Sequence, residues 1–151
     1  MRGFPFARES SAAGTWTAQV ELGCSYAGEA VIDGAGDALA LCEASNAEEQ
    51  GTFDATRLPA GGSWSAPQVV STHDIFNLAA ASDTAGTFVV ALQDNTTGAV
   101  TALTSAPGGG FGTPAAFTGY ALGSLAEAAN GQATLLLNSA SGDFESAEPV
   151  G

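Results

Sequence analysis

The sequence predicts an all-β chain, a β-propeller of three four-stranded blades, and three observations lead there. An aromatic marker recurs at Trp16, Trp64 and Phe111, so that a similar phrase returns as AGTWTAQVEL, GGSWSAPQVVS and GGFGTPAAFT. Between markers the apolar runs are short and bounded by Gly, Asp, Asn and Pro, which suits strands of about 5–6 residues joined by tight turns. Each period holds about four such runs, and a four-strand repeat of about 40–50 residues is the unit of a propeller. Helical solenoids of similar period need helices of about 10–15 residues, which these breakers forbid. Leucine-rich repeats are shorter, and a sandwich would leave the regular spacing without a cause.

The elements follow in order. Residues 1–13 read as an N-terminal tail, and the repeats span about 14–60, 61–108 and 109–151. An inner strand is expected over about 28–33, 77–82 and 124–129. It is rich in alanine, a poor strand former that fits where backbones crowd. Asp33, Asp83 and Asn130 open the turns that follow, because such side chains can accept from backbone two residues on. Gly34, Gly36, Gly86 and Gly131 are expected to supply positive φ. The second strand, about 37–43, 87–93 and 132–138, is apolar on both faces, as in Phe88-Val89-Val90-Ala91-Leu92. That pattern suits a strand covered from both sides. A third strand is expected at about 52–58, 99–105 and 143–148, and an outer strand at about 64–71 and 111–117.

One outer-type strand, 16–22, precedes every inner strand, and the third repeat has no outer strand of its own. Three blades do not close a ring, since propellers start at about four. Two chains would give six blades, each lending residues 16–22 to the other's third blade. The alternative is that this chain is part of a longer propeller polypeptide.

Composition narrows the function. The chain has 151 residues and a net charge of −13, with no lysine and only Arg2, Arg8 and Arg57 as cations. Nucleic acid needs a basic patch to neutralise phosphate, and an anionic membrane surface needs the same. Neither is an expected partner. No apolar run reaches the ~20 residues of a membrane helix, and MRGFPFARES lacks a signal-peptide core. The composition suits an exported or surface protein. Cys24 and Cys42 fall in one repeat, away from any histidine and outside a C-x-x-C pair, so no zinc site is expected. They can pair in an oxidising compartment or stay as buried thiols.

The phrase WSAPQVVS, the stretch LAAASDTAGTFVVAL and the P-G-G before Phe111 resemble sialidase-like or BNR-type repeat propellers, over about residues 14 to 151. The resemblance implies the fold and an exported bacterial setting. The Asp-box of that family, S-x-D-x-G-x-T-W, is approached only by SDTAGTF at residues 82–88. Sialidases clamp their substrate carboxylate with three arginines, beside a Tyr–Glu pair and an Asp. With three arginines in all, two of them before the first repeat, this chain is not expected to build that clamp.

Other candidates for chemistry are weaker. Glu48, Glu49 and Asp54 read as a solvated turn and its flank rather than the facing carboxyls of a glycosidase. His73 beside Asp74 is a possible base, with no nucleophile motif near it. Asp33 to Asp37 resembles part of a calcium loop but lacks the remaining ligands. Asn95-Thr96-Thr97 has the form of a glycosylation sequon and reads as a hairpin turn. Trp16, Trp64 and Phe111 remain as the candidate ligand-binding residues. They either pack between blades or stack on sugar rings. The expected protein is non-catalytic and needs no cofactor or metal. It is a scaffold or a carbohydrate- or protein-binding module, and a glycoside hydrolase or a surface-assembly subunit is the rival.

Overall fold

The structure, a computed structural model, describes residues 6–10, 13–44, 51–139 and 144–147. The described residues form antiparallel sheets and turns, with no helix. Strands β1 (Phe6–Ala7) and β2 (Val20–Glu21) make a small N-terminal sheet. The first large sheet runs β3 (Cys24–Ile32), β4 (Ala38–Ala44), β5 (Phe53–Leu58) and β6 (Gln68–Ser71). The second runs β7 (Ile75–Ser82), β8 (Phe88–Asp94), β9 (Val100–Ser105) and β10 (Ala115–Phe117). The third holds β11 (Tyr120–Glu127), β12 (Ala133–Ser139) and β13 (Phe144–Ala147). In each large sheet the strands neighbour one another in chain order.

The expected inner, second and third strands therefore exist, each within a few residues of its expected bounds. The outer strands are shorter than expected. β6 begins after Pro67 and β10 after Pro114, because proline offers no N–H to a ladder. The segment expected as a tail contains β1, which pairs with β2 at Phe6↔Glu21 and Ala7↔Val20. The outer-type strand within 16–22 thus has a partner in its own chain, and it is only Val20–Glu21.

The large sheets stack in chain order. β3 contacts β7, and β7 contacts β11. Leu39 and Leu41 of β4, Phe53 and Ala55 of β5 and Phe88, Val90 and Leu92 of β8 form the core between the first two sheets. Ala91 and Val100 meet Leu122, Leu135 and Leu137 between the second and third. All seven residues of β8 are buried, since this strand is covered on both faces. β12 is covered on one face, and its burial alternates from Ala133 to Leu137. At Gly28 a Cβ would come within 3.0 Å of the Leu41 carbonyl and of the Leu78 and Phe53 side chains, so the alanine- and glycine-rich inner strand answers to close packing.

The turns after β3, β7 and β11 are equivalent. Asp33, Asp83 and Ala128 donate their N–H groups to the carbonyls of Asp37, Thr87 and Gln132. Asp33 Oδ1 accepts from the N–H of Ala35, Gly36 and Asp37, and Asp83 Oδ1 from Ala85 and Thr87. In the third turn the equivalent of these acids is Ala128, not Asn130, whose Oδ1 accepts from Gln132 N–H. Gly36, Gly86 and Gly131 take positive φ; Gly34 does not, and stands instead against Thr84. Successive turns also touch: Gly86 lies against Asp33, and Gly131 against Asp83. Ser82 Oγ donates to the Ile32 carbonyl and Thr84 Oγ1 to that of Ala129, at 3.0 Å each.

Cys24 and Cys42 form a disulfide, with Cα atoms 5.9 Å apart. Both are buried, so of the two states open to them the bonded one occurs, and it staples β3 to β4. A cross-link over a separation of 18 residues stabilises by about 3 kcal/mol, mainly by restricting the unfolded chain. The double variant Cys24→Ala, Cys42→Ala is expected to lose about 2–4 kcal/mol in urea unfolding. A curve coincident with that of the parent chain would contradict this.

Candidate functional site

The aromatic marker is positioned by a loop that recurs before each outer strand. Thr17, Ser65 and Gly112 donate their N–H groups to the carbonyls of Glu9, Arg57 and Thr104, at 2.8, 2.7 and 2.9 Å. The N–H groups of Glu9 and Arg57 in turn donate to Thr17 Oγ1 and Ser65 Oγ. Ser10 bridges Trp16 as Ser105 bridges Phe111. The N-terminal sheet is therefore the second half of a repeat, built like the third and outer strands of the repeats that follow.

The three markers meet different surroundings. Phe111 is half-buried against the first core, with the Arg57 guanidinium 5.5 Å from its ring and 5.0 Å from that of Phe88. It packs between the first and second sheets. Burial holds the Arg57 guanidinium below its ordinary pKa range, against the raising effect of Asp37. Trp64 and Trp16 both line a groove of about 740 Å³ between the N-terminal sheet and the first large sheet. Trp64 is half-buried, and among the described residues its Nε1–H finds no acceptor. Trp16 is 63% exposed.

The floor of the groove is made of small side chains, Ala38, Ala40 and Cys42 of β4 with Gly28 and Ala30 of β3. Ile32, 66% exposed, stands at its edge. The polar groups along it include Arg8, Glu9 and Glu29. Burial raises the Glu29 carboxyl above its ordinary range, countered in part by the N–H of Ala80. The groove can hold an apolar, flat or strand-like ligand between two indoles and a floor with little bulk.

A second groove, of about 460 Å³, lies by the turn after β8 and includes Val70, His73, Asp94 and Pro114. His73 Nδ1 is 2.7 Å from Asp94 Oδ2. The histidine's partner is thus Asp94 rather than its neighbour Asp74, which accepts instead from Asn95 Nδ2. Asp94 Oδ1 takes the N–H groups of Thr96 and Thr97, confirming a turn over Asn95–Thr97. Those bonds, Thr97 foremost, with His73 beside them, hold the Asp94 carboxyl below its ordinary range. Ser71 Oγ bonds to the backbone of His73, not to its ring, so the Ser71 hydroxyl is not aligned with the imidazole as a nucleophile.

A third feature escaped the sequence. Glu127, the last residue of β11, lies near Asp83. Burial, with the charge of Asp83 second, raises its pKa to about 7. Among the described residues neither of its carboxylate oxygens has a hydrogen-bond donor. Burial alone would raise Asp83 too, but the N–H groups of Thr87, Ala85 and Gly86 and the Thr87 hydroxyl bring it below its ordinary range. Glu48 and Glu49 lie outside the described residues, as does Arg2. Asp33 Oδ1 and Asp37 Oδ1 serve backbone, the latter accepting from Ala60 N–H, while Asp33 Oδ2 has no donor among the described residues. Among the described residues no group of three His, Cys, Asp or Glu side chains is placed to hold a metal ion.

Glu127 gives a pH dependence whose sign is fixed. An unfolded glutamate titrates near 4.3, and the folded one near 7. The folded chain therefore holds the extra proton, and the stability this gives is full below about 4 and lost as pH rises through about 7. Glu127→Gln is expected to match the parent chain at pH 4 and to exceed it at pH 8, by about 1 kcal/mol or less because the group is partly solvated. Melting curves at the two pH values check this; a variant less stable at pH 8 would contradict it.

Neither a family model nor a curated protein matches the chain.

Proposed function

We propose that the chain is a non-catalytic module of the β-propeller type, a scaffold whose ligand is a protein surface seated in the groove between Trp16, Trp64 and β4. The carrying observation is the repeated stacking of meander sheets through their first strands, with a groove where the outward face of the first large sheet is only partly covered. Such a face is apolar and shallow-sided, which suits protein more than a charged metabolite. The Cys24–Cys42 bond supports an exported setting, because disulfides persist in oxidising compartments. The excess of acid favours solubility there. No described helix is long and apolar enough to cross a membrane. The resemblance to sialidase-like repeats supports the propeller architecture and not their chemistry, since Arg57 is wedged between two phenylalanine rings.

Two other readings have an observation each. Carbohydrate stacking is favoured by the exposed indole of Trp16 at the groove mouth. Glycoside hydrolysis is favoured by Asp83 and Glu127, two neighbouring carboxyls whose pKa values are driven apart. Against it, Asp83 Oδ1 is engaged by its own turn.

A panel of sialosides and neutral glycosides separates these. The expected result is no turnover and no change in tryptophan emission on titration. Turnover abolished by Glu127→Gln would overturn the non-catalytic reading. A saturable emission change lost in Trp16→Ala would make the groove a sugar site.

A further inference from the structure

The groove has a shape that the repeat itself explains. The N-terminal sheet supplies the third and outer strands of a repeat, and among the described residues no inner or second strand stands beside them. Those two strands would lie against β3 and β4, where the groove is. The second and third sheets have that face filled: β8 turns Phe88, Val90 and Leu92 toward the first sheet, and β12 turns Leu135 and Leu137 toward the second. β4 turns Ala38, Ala40 and Cys42 into the groove, and no described residue fills it.

The third sheet is the complementary case. It has an inner, a second and a third strand, and among the described residues no outer one. Its far face offers Thr134, half-buried Leu136 and Asn138 from β12. These are bulkier than the alanines across the groove. The outer strand it lacks is of the kind that β2 provides, with the same marker loop.

We propose that the groove is the docking site for the third sheet of a second copy of this chain. β11, β12 and β13 of that copy lie over β3 and β4, and β2 pairs with β13 in place of β1. The contact continues the stacking already made twice within the chain, which is what singles out a second copy as occupant. Two chains joined reciprocally give six sheets. The proposal rests on the propeller-type reading above and names its protein partner.

The test is the native mass of the intact chain by sedimentation over a wide concentration range. The expected result is a reversible dimer. Ile32→Arg and Trp16→Ala are each expected to weaken it roughly tenfold or more. Both side chains are mostly exposed in the single chain, so far-UV circular dichroism and melting should stay unchanged. Trp16→Phe should retain the dimer, because Phe111 fills the equivalent place. A monomer at every concentration overturns the proposal, as does any dimer or larger assembly that Ile32→Arg leaves intact. Neither outcome bears on the turnover assay, so failure of the docking and failure of the non-catalytic reading are told apart.

Discussion

A sheet whose middle strand is apolar on both faces cannot stand alone, and most of this structure follows from that constraint. β8 carries Phe88, Val90 and Leu92 on one side and Val89 and Ala91 on the other, all buried. Leaving either face in water would forfeit about 25 cal/mol for each Å² of apolar surface exposed. The second sheet therefore needs a neighbour on each side, and the first and third sheets supply them. The inner strands are small so that this approach is possible, as the crowding around Gly28 illustrates.

The turns keep the stack in register. Asp33 and Asp83 each order their own turn through one oxygen and face the glycine of the next turn with the other. A side chain at Gly86 or Gly131 would require positive φ and would also meet that carboxylate. The acid and the glycine are thus two halves of one contact, repeated along the chain. Ala128 breaks the series at the third turn, where the contact with a following glycine is not made inside the described residues.

The strand order was legible because period and turn chemistry are local. Phe88 to Leu92 and Asp83 with Gly86 announce themselves within a few residues. What the sequence concealed was non-local. Asp94 binds His73 across two strands, whereas adjacency pointed to Asp74. Glu127 acquires its high pKa from burial first and the charge of Asp83 second, and Asp83 lies in the turn after β7 of the neighbouring sheet. Phe6–Ala7 is too short and irregular to show a strand period, and only its pairing with β2 reveals the half-repeat. Of the candidate site, the recurrence of Trp16, Trp64 and Phe111 was visible; that the two tryptophans share one groove while Phe111 plugs an interface was not. The difference arises from what stands beside each marker, which no window of sequence contains.

The most direct test of the stacking account is amide hydrogen exchange on the dilute chain. Strand opening should be hardest where both faces are covered, so Phe88–Asp94 should exchange slowest, Ala133–Ser139 faster and the outer strand Gln68–Ser71 faster still. Exchange in Phe88–Asp94 as fast as in Gln68–Ser71 would contradict the claim that mutual covering of sheet faces holds this protein together.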